Sequence, residues 1–134
     1  MTDYRSALVY IMVLTSAADS DMTDSELQTI GEIVKFLPVF NGYNPEDLPL
    51  DSRKCADILN QEDGFDKVLD QVVAALPEKL RETAYALALE VVAADGVASQ
   101  EELRLLEILR HTLDVERLPA AALERGARAR YMTA

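Results

Sequence analysis

The sequence predicts an all-α fold, a single domain of about seven helices with two pseudo-symmetric helical hairpins packed around a common core. Apolar residues recur at intervals of three and four along most of the chain, which is the spacing of one helix face. Strand signals are weak, because only 6% of the residues are aromatic and no Asn-Gly or Asp-Gly turn lies between alternating runs. The 134 residues are enough for one domain with a hydrophobic core.

The first hairpin is predicted over about residues 4–37. Its first helix runs from Tyr4 to Ala18 and is apolar on nearly all sides, which indicates burial. Its second helix begins after Thr23 and ends before Pro38, because proline interrupts a helix. The apolar residues of the second helix share one face: Leu27, Ile30, Ile33, Val34 and Leu37.

Shorter helices are predicted over about residues 52–76. The segment Phe40–Asp51 is interpreted as a loop with one short turn, because one glycine and two prolines interrupt it. Helices are expected at Ser52–Leu59 and at Phe65–Leu76. The residues of the latter helix that are expected to face inward are Val68, Leu69, Val72 and Val73.

The second hairpin is predicted over about residues 78–113, and a C-terminal helix follows over about 118–131. Pro77 suits the start of the fifth helix, which runs to Ala94, and the sixth helix follows Ser99. The apolar residues of the sixth helix are Leu103, Leu106, Ile108, Leu109 and Leu113.

Two stretches of the chain are nearly identical: AADSDMTDSEL at Ala17–Leu27 and AADGVASQEEL at Ala93–Leu103. Because neither hairpin can bury its apolar faces alone, we expect the two to pack against each other about a pseudo-two-fold axis. The corresponding residues, each pair 76 positions apart, are Asp19 and Asp95, Thr23 and Ser99, Glu26 and Glu102, Leu27 and Leu103, Ile30 and Leu106, and Ile33 and Leu109.

Most of each repeated stretch is explained by the end of one helix and the start of the next. Thr23 and Ser99 are predicted as N-caps, and Glu26 and Glu102, three residues later, complete a capping box. Gly96 fits the left-handed residue that closes many helices.

Asp19 and Asp95 need a further explanation, because each follows Ala-Ala at a helix end where the carbonyl groups carry partial negative charge. Either the carboxylate accepts hydrogen bonds from the loop in an Asx turn, or it binds a cation. Oxygen ligands suit a hard ion of the Ca²⁺ or Mg²⁺ class. The candidate metal ligands are Asp19, Glu26, Asp95 and Glu102, with Asp21 and Glu90 as additional candidates. An EF-hand is excluded, because Asp24 and Ile30 stand where that loop requires glycine and glutamate.

Composition and charge exclude several classes of protein. A formal net charge of −11 repels a phosphate backbone, so we expect no nucleic-acid partner. Cys55 is the only cysteine, which excludes an intrachain disulfide and indicates a cytoplasmic protein. The N-terminal apolar run Ala7–Leu14 is far shorter than the roughly 20 residues that cross a bilayer, so we expect no transmembrane segment.

The sequence contains no recognisable set of catalytic residues. His111 is the only histidine and is expected at a helix end, and Cys55 is interpreted as a core residue. Glu90 is expected on an exposed stripe or paired with an arginine. We therefore predict no enzymatic activity and no catalytic residues, and a hydrolase that uses Glu90 with Asp95 is the least favoured alternative.

The phrase Ala-Ala-Asp-Gly-(apolar)-x-Ser-x-x-Glu at Ala93–Glu102, with the leucines that follow, resembles the TerB-like tellurite-resistance family. The resemblance covers Leu8 to about Leu113, and the first copy departs from it at Ser20, which replaces the glycine. It implies an all-helical, non-enzymatic bacterial protein of a tellurite or stress-resistance system, and it implies protein partners in a membrane-associated complex. It also makes the acidic positions of the two loops the candidates for a shared site.

Two functions are therefore carried forward from the sequence. The first is a TerB-like protein that acts through protein partners and has an acidic cation site. The alternative is a divalent-cation sensor or buffer that uses the two acidic loops. The last helix carries Arg125, Arg128 and Arg130, which either dock onto the acidic body of the protein or contact an acidic partner. The sequence leaves the oligomeric state open.

Overall fold

The computed structural model describes residues 3–18, 24–94 and 96–134, and most residues in these ranges are helical. The described ranges contain seven α-helices: α1 (Tyr4–Ser16), α2 (Asp24–Phe36), α3 (Leu48–Leu59), α4 (Gly64–Ala75), α5 (Arg81–Ala93), α6 (Gln100–Thr112) and α7 (Arg117–Arg130). Three short 3₁₀ helices lie at Pro38–Phe40, Pro45–Asp47 and Glu78–Leu80. No strand occurs in the described ranges, and the all-α prediction is confirmed.

Two apolar helices, α1 and α5, form the centre of the fold and pack against each other more extensively than any other pair. Every residue of α1 from Ala7 to Ser16 is buried, because this helix is apolar on nearly all sides. Helices α3 and α4 pack against α1 and against each other. Helices α2, α6 and α7 pack against α5, so each central helix has its own outer layer.

The two hairpins contact each other as the internal repeat requires. Helix α2 of the first hairpin packs on α5 of the second, and α6 of the second hairpin contacts α1 of the first. Each outer helix therefore touches the central helix of the other hairpin. The pseudo-two-fold axis itself stays a prediction.

The expectation of a loop with a short turn over Phe40–Asp51 holds for the first part of this segment, and its end is corrected, because residues 48–51 belong to α3. It includes the 3₁₀ helix Pro45–Asp47, and α3 begins at Leu48 instead of Ser52. Proline is compatible with the first turn of a helix, where its missing N–H group would have no partner. Pro49 lies in that first turn, so the proline that suggested a loop in fact starts the helix.

Four apolar side chains that were expected to face inward are exposed to solvent. Leu27 is 52% exposed and Leu103 is 49% exposed, and Leu37, just after α2, and Val73 of α4 also reach solvent. In α2 the buried stripe runs through Glu26, Ile30 and Val34 at intervals of four, which leaves Leu27 beside it. Leu103 has the same position beside the buried stripe of α6.

No helix in the described part of the chain combines the length and the apolar character that a bilayer crossing requires.

Candidate functional site

The site predicted from the sequence lies in the two connections between hairpin helices, α1 to α2 and α5 to α6. The structure describes these connections in part. Asp19, Asp21, Thr23 and Asp95 lie outside the described residues, so their predicted roles stay predictions. Four other features of these connections can be described: the two first-turn glutamates, the N-cap of α6, Gly96 and the end of α1.

Glu26 and Glu102 are buried almost completely, with exposed fractions of 0% and 2%. Each is the third residue of its helix, Glu26 in α2 and Glu102 in α6. Glutamate is almost never fully buried unless its carboxylate has partners, and first-turn glutamates on a surface helix normally reach water. The matching burial of both residues therefore goes beyond what helix capping requires.

The predicted capping box of α6 is confirmed. The Ser99 backbone N–H donates to Glu102 Oε1 at 2.9 Å, and the Glu102 N–H donates to Ser99 Oγ at 3.1 Å. These contacts occupy one of the two carboxylate oxygens of Glu102. The other, Oε2, is buried and receives no hydrogen bond from the described residues. A buried carboxylate oxygen without a donor is costly, which makes this atom a candidate ligand.

The end of α1 carries a second polar atom that the sequence analysis did not single out. The Ser16 hydroxyl is fully buried and has no hydrogen-bond partner within the described ranges. Its neighbour Thr15 is also buried, but the Thr15 hydroxyl donates to the Ile11 carbonyl at 2.7 Å. The sequence carried one signal for Ser16, because it places a polar side chain at the end of a helix that is apolar on nearly all sides.

Gly96 has the left-handed conformation that its sequence position predicted. Its φ is 81°, and its N–H group donates to the Ala93 carbonyl at 3.0 Å. No atom would lie within 4 Å of a Cβ at this position, so the glycine is required by the backbone and not by a close neighbour.

Glu90 pairs with an arginine, which is one of the two roles expected from the sequence. It forms an ion pair with Arg130 at the end of α7, and its Oε2 accepts the Tyr131 hydroxyl at 3.1 Å. The Glu90 side chain is 13% exposed. Its contacts are thus directed towards α7, and they explain why a glutamate is tolerated on α5.

The described residues alone do not form a metal centre. No group of three or more histidine, cysteine, aspartate or glutamate side chains in the described ranges is arranged to hold a metal ion. A cation site that uses Glu26 or Glu102 would therefore need Asp19, Asp21 or Asp95 as well.

An open groove of about 690 Å³ lies between α5, α6 and α7. This volume lies within the usual range for ligand-binding clefts, roughly 300–1,000 Å³. The floor is apolar and includes Leu89, Val92 and Leu106, while the half-exposed Leu103 stands on the α6 wall. We call it the α5–α6–α7 groove. The sequence did not predict it, because the repeat analysis assigned Leu103 to the core.

One end of the groove is polar. The Tyr85 hydroxyl donates to Glu124 at 2.6 Å, and burial together with this hydrogen bond raises the pKa of Tyr85 well above its usual range. Arg110 lies close enough to oppose that increase in pKa. Arg128 also lines the groove, from α7.

The two residues most often used by nucleophilic enzymes have other roles here. Cys55 is fully buried, its thiol lies 3.8 Å from the Tyr10 carbonyl oxygen, and burial raises its pKa to about 12. A thiol with so high a pKa is a poor nucleophile near neutral pH. His111 is exposed in the last turn of α6, where its Nε2 lies 3.1 Å from Arg110.

The family model described as tellurite resistance protein TerB matches residues 5–124. The match extends from the start of α1 to the middle of α7. Searches of curated proteins and of solved structures gave no match.

Proposed function

We propose, since the chain belongs to the TerB family of tellurite resistance proteins, that it serves a tellurite-resistance system as a non-enzymatic protein that binds other proteins. The observation that carries the proposal is the α5–α6–α7 groove, which displays apolar side chains to solvent. Leu103 is 49% exposed there, and Met132 is also exposed. Apolar groups that gather in an open groove are typical of surfaces that bind a partner.

The side-chain chemistry of the described residues supports binding over catalysis. The Cys55 thiol has no access to solvent, and the Tyr85 hydroxyl is engaged by Glu124. Tellurite resistance would then depend on assembly with other proteins.

Two measurements test this function. A host that lacks the gene should grow more poorly on tellurite, and the wild-type gene should restore growth. In an extract of the same host, the chain should migrate as a complex larger than its own 14.8 kDa on a native gel with immunodetection. Unchanged tellurite tolerance, or migration at the size of the free chain, would contradict the proposal.

A second candidate function, divalent-cation binding, is favoured by the buried Oε2 atom of Glu102. We propose that Asp19, Glu26, Asp95 and Glu102 supply oxygen ligands for an ion of the Ca²⁺ or Mg²⁺ class. The helix-capping contacts use Oε1 of Glu102 and leave Oε2 directed into the protein. A cation would compensate for the burial of such an atom.

Calorimetric titration of chelator-treated protein with Ca²⁺, Mg²⁺, Mn²⁺ and Zn²⁺ tests the cation site. Glu102→Gln should abolish binding, yet it keeps the start of α6, because glutamine also completes a capping box. Glu101→Gln is the matched control, since Glu101 is the adjacent first-turn residue and is exposed. Asp19→Asn with Asp95→Asn should also abolish binding.

The cation proposal fails if no ion binds more tightly than about 1 mM, which corresponds to only about 4 kcal/mol of binding free energy. It also fails if Glu102→Gln and Glu101→Gln behave alike. Neither result would affect the partner-binding proposal, whose evidence lies in the groove on α5, α6 and α7.

A further inference from the structure

We propose that the α5–α6–α7 groove binds a short, acidic amphipathic helix of a partner protein. This inference rests on the proposed function and names its binding site and the chemistry of its partner. Four properties of the groove carry it: its charge, its length, the order of its side chains, and the arginines on its rim.

The charge of the chain is distributed unevenly, and the groove lies between helices of its least acidic segment. Residues 104–134 contain six arginines and four acidic residues, a formal charge of +2. Since the net charge of the whole chain is −11, the first 103 residues carry a net charge of −13. The basic segment supplies all of α7 and most of α6, which are the two walls of the groove. The groove itself is lined by two arginines and two glutamates, whose charges cancel, so an acidic ligand would be repelled less by this face than by the rest of the protein.

The length of the groove matches two turns of an α-helix. Its α6 wall extends from Leu103 to Arg110, a separation of seven residues, and its α5 floor extends from Tyr85 to Ala93. At about 1.5 Å per residue these distances are roughly 10–12 Å. An amphipathic helix that presents apolar anchors at positions i, i+4 and i+7 spans the same distance.

The side chains of the groove are ordered from an apolar end to a polar end. Leu103 and Met132, both exposed, lie at the end of the groove where α6 begins and α7 ends. Tyr85 and Arg110 lie at the other end, where α5 begins and α6 ends. An occupant would therefore place its apolar anchors near Leu103 and a carboxylate near Arg110.

The rim carries two arginines and two glutamates, and they differ in their partners. Glu124 accepts the Tyr85 hydroxyl, while Glu107 is exposed on α6. Neither Arg110 nor Arg128 forms an ion pair with a carboxylate of the described residues. Two arginines without ion-pair partners beside an apolar floor fit a ligand that combines apolar and acidic groups.

A display library of random 14-residue peptides, selected against the intact folded protein, tests the proposal. The enriched peptides should share apolar residues at i, i+4 and i+7 together with at least one acidic residue. The best of them, labelled with fluorescein, is then titrated with each variant by fluorescence anisotropy, after circular dichroism has shown that the variant is folded.

The repeat and α7 provide matched controls. Leu103→Ser should weaken the labelled peptide about tenfold, the effect of removing one apolar anchor, whereas Leu27→Ser should leave binding unchanged. Leu27 is the repeat counterpart, is equally exposed, and does not line the groove. Arg128→Glu should weaken binding roughly fivefold, and Arg125→Glu, one turn earlier outside the groove, should not.

The proposal is overturned if selection enriches no peptides or enriches peptides without acidic residues. Equal effects of Leu103→Ser and Leu27→Ser would overturn it as well, because binding would then lie outside the groove.

Displacement of the peptide by decanoate at equal concentration would assign the groove to an anionic amphiphile instead. Self-association of the chain that competes with the peptide, measured by sedimentation velocity, would assign it to a second copy. A failure of any of these kinds leaves the tellurite-growth test unaffected and is thus distinguishable from failure of the proposed function.

Discussion

Arg130 forms an ion pair with Glu90 and so joins the last turn of α7 to the last turn of α5. The Tyr131 hydroxyl donates to the same carboxylate at 3.1 Å. The apolar contribution of α7 to the core is small, since Ala120 and Ala127 are its two buried residues. The polar contacts to Glu90 therefore determine where the end of α7 lies, and with it the position of one wall of the groove.

Replacing Arg130 with glutamine should loosen the end of α7 without unfolding the protein. Arg130 is 63% exposed, so the loss in unfolding free energy should be no more than about 1 kcal/mol. Amide hydrogen exchange should become faster in the last turn of α7 and stay unchanged in α5. Arg125→Gln, on the exposed side of the same helix, is the control. Equal protection of α7 in both variants would show that the ion pair does not hold the helix end.

Two glycines should respond in opposite ways to alanine. Gly96 has φ 81°, so Gly96→Ala should lower the unfolding free energy by about 1–2 kcal/mol although the space around it is open. Gly31 lies inside α2 with no atom within 4 Å of a Cβ, so Gly31→Ala should raise stability by about 0.5–1 kcal/mol. Urea unfolding measures both values. Changes of the same sign would contradict this account of the α5–α6 connection.

The sequence predicted the type and number of the helices because the signals that carry them are local. Apolar periodicity identified α1, α2 and α6, and the Ser99–Glu102 capping box located the start of α6. The error at Leu48 is also local in origin. A proline can stand in the first turn of a helix or interrupt a helix. The sequence alone did not show which of these roles Pro49 has.

The sequence did not predict which apolar residues reach solvent, because this depends on how the helices pack. Leu103 fits the apolar periodicity of α6, yet the buried stripe of that helix runs through Glu102 and Leu106, and Leu103 lies beside it. The groove exists because α7 lies along α5 at a distance from α6, which no local pattern encodes. The burial of Glu26 likewise follows from tertiary packing and not from its place in a capping box.

Asp51 is a buried polar residue whose replacement should be costly. Its Oδ2 accepts the Ser6 hydroxyl of α1 at 3.0 Å and the Tyr43 hydroxyl at 2.7 Å. Asp51→Ala would leave both donors without this acceptor, which should lower the unfolding free energy by about 1–3 kcal/mol. Asp47→Ala, at an exposed position four residues earlier, should change it by less than about 0.5 kcal/mol. Similar values for the two variants, measured by urea unfolding, would show that the Asp51 contacts add no stability.

The Cys55 thiol should be unreactive in the folded protein. It is fully buried and its pKa is raised to about 12, so both access and the thiolate fraction are low at pH 8. Ellman's reagent should label it at the rate of unfolding in buffer and within seconds in concentrated urea. Rapid labelling in buffer would show that the core around Cys55 opens locally.

The same thiol should make stability decrease at alkaline pH. In the unfolded chain its pKa is about 8.5, whereas burial raises the pKa in the folded protein to about 12. The folded state therefore retains a proton that the unfolded state has lost between these values, and stability falls as pH rises through this window, by up to about 1.4 kcal/mol per pH unit. Cys55→Ala removes this contribution and keeps those of the tyrosines. Urea unfolding of both proteins between pH 7 and 10.5 should show a stability difference that is constant below about pH 8 and shifts in favour of Cys55→Ala above it. Parallel pH profiles would mean that the thiol has the same pKa in the folded and unfolded states.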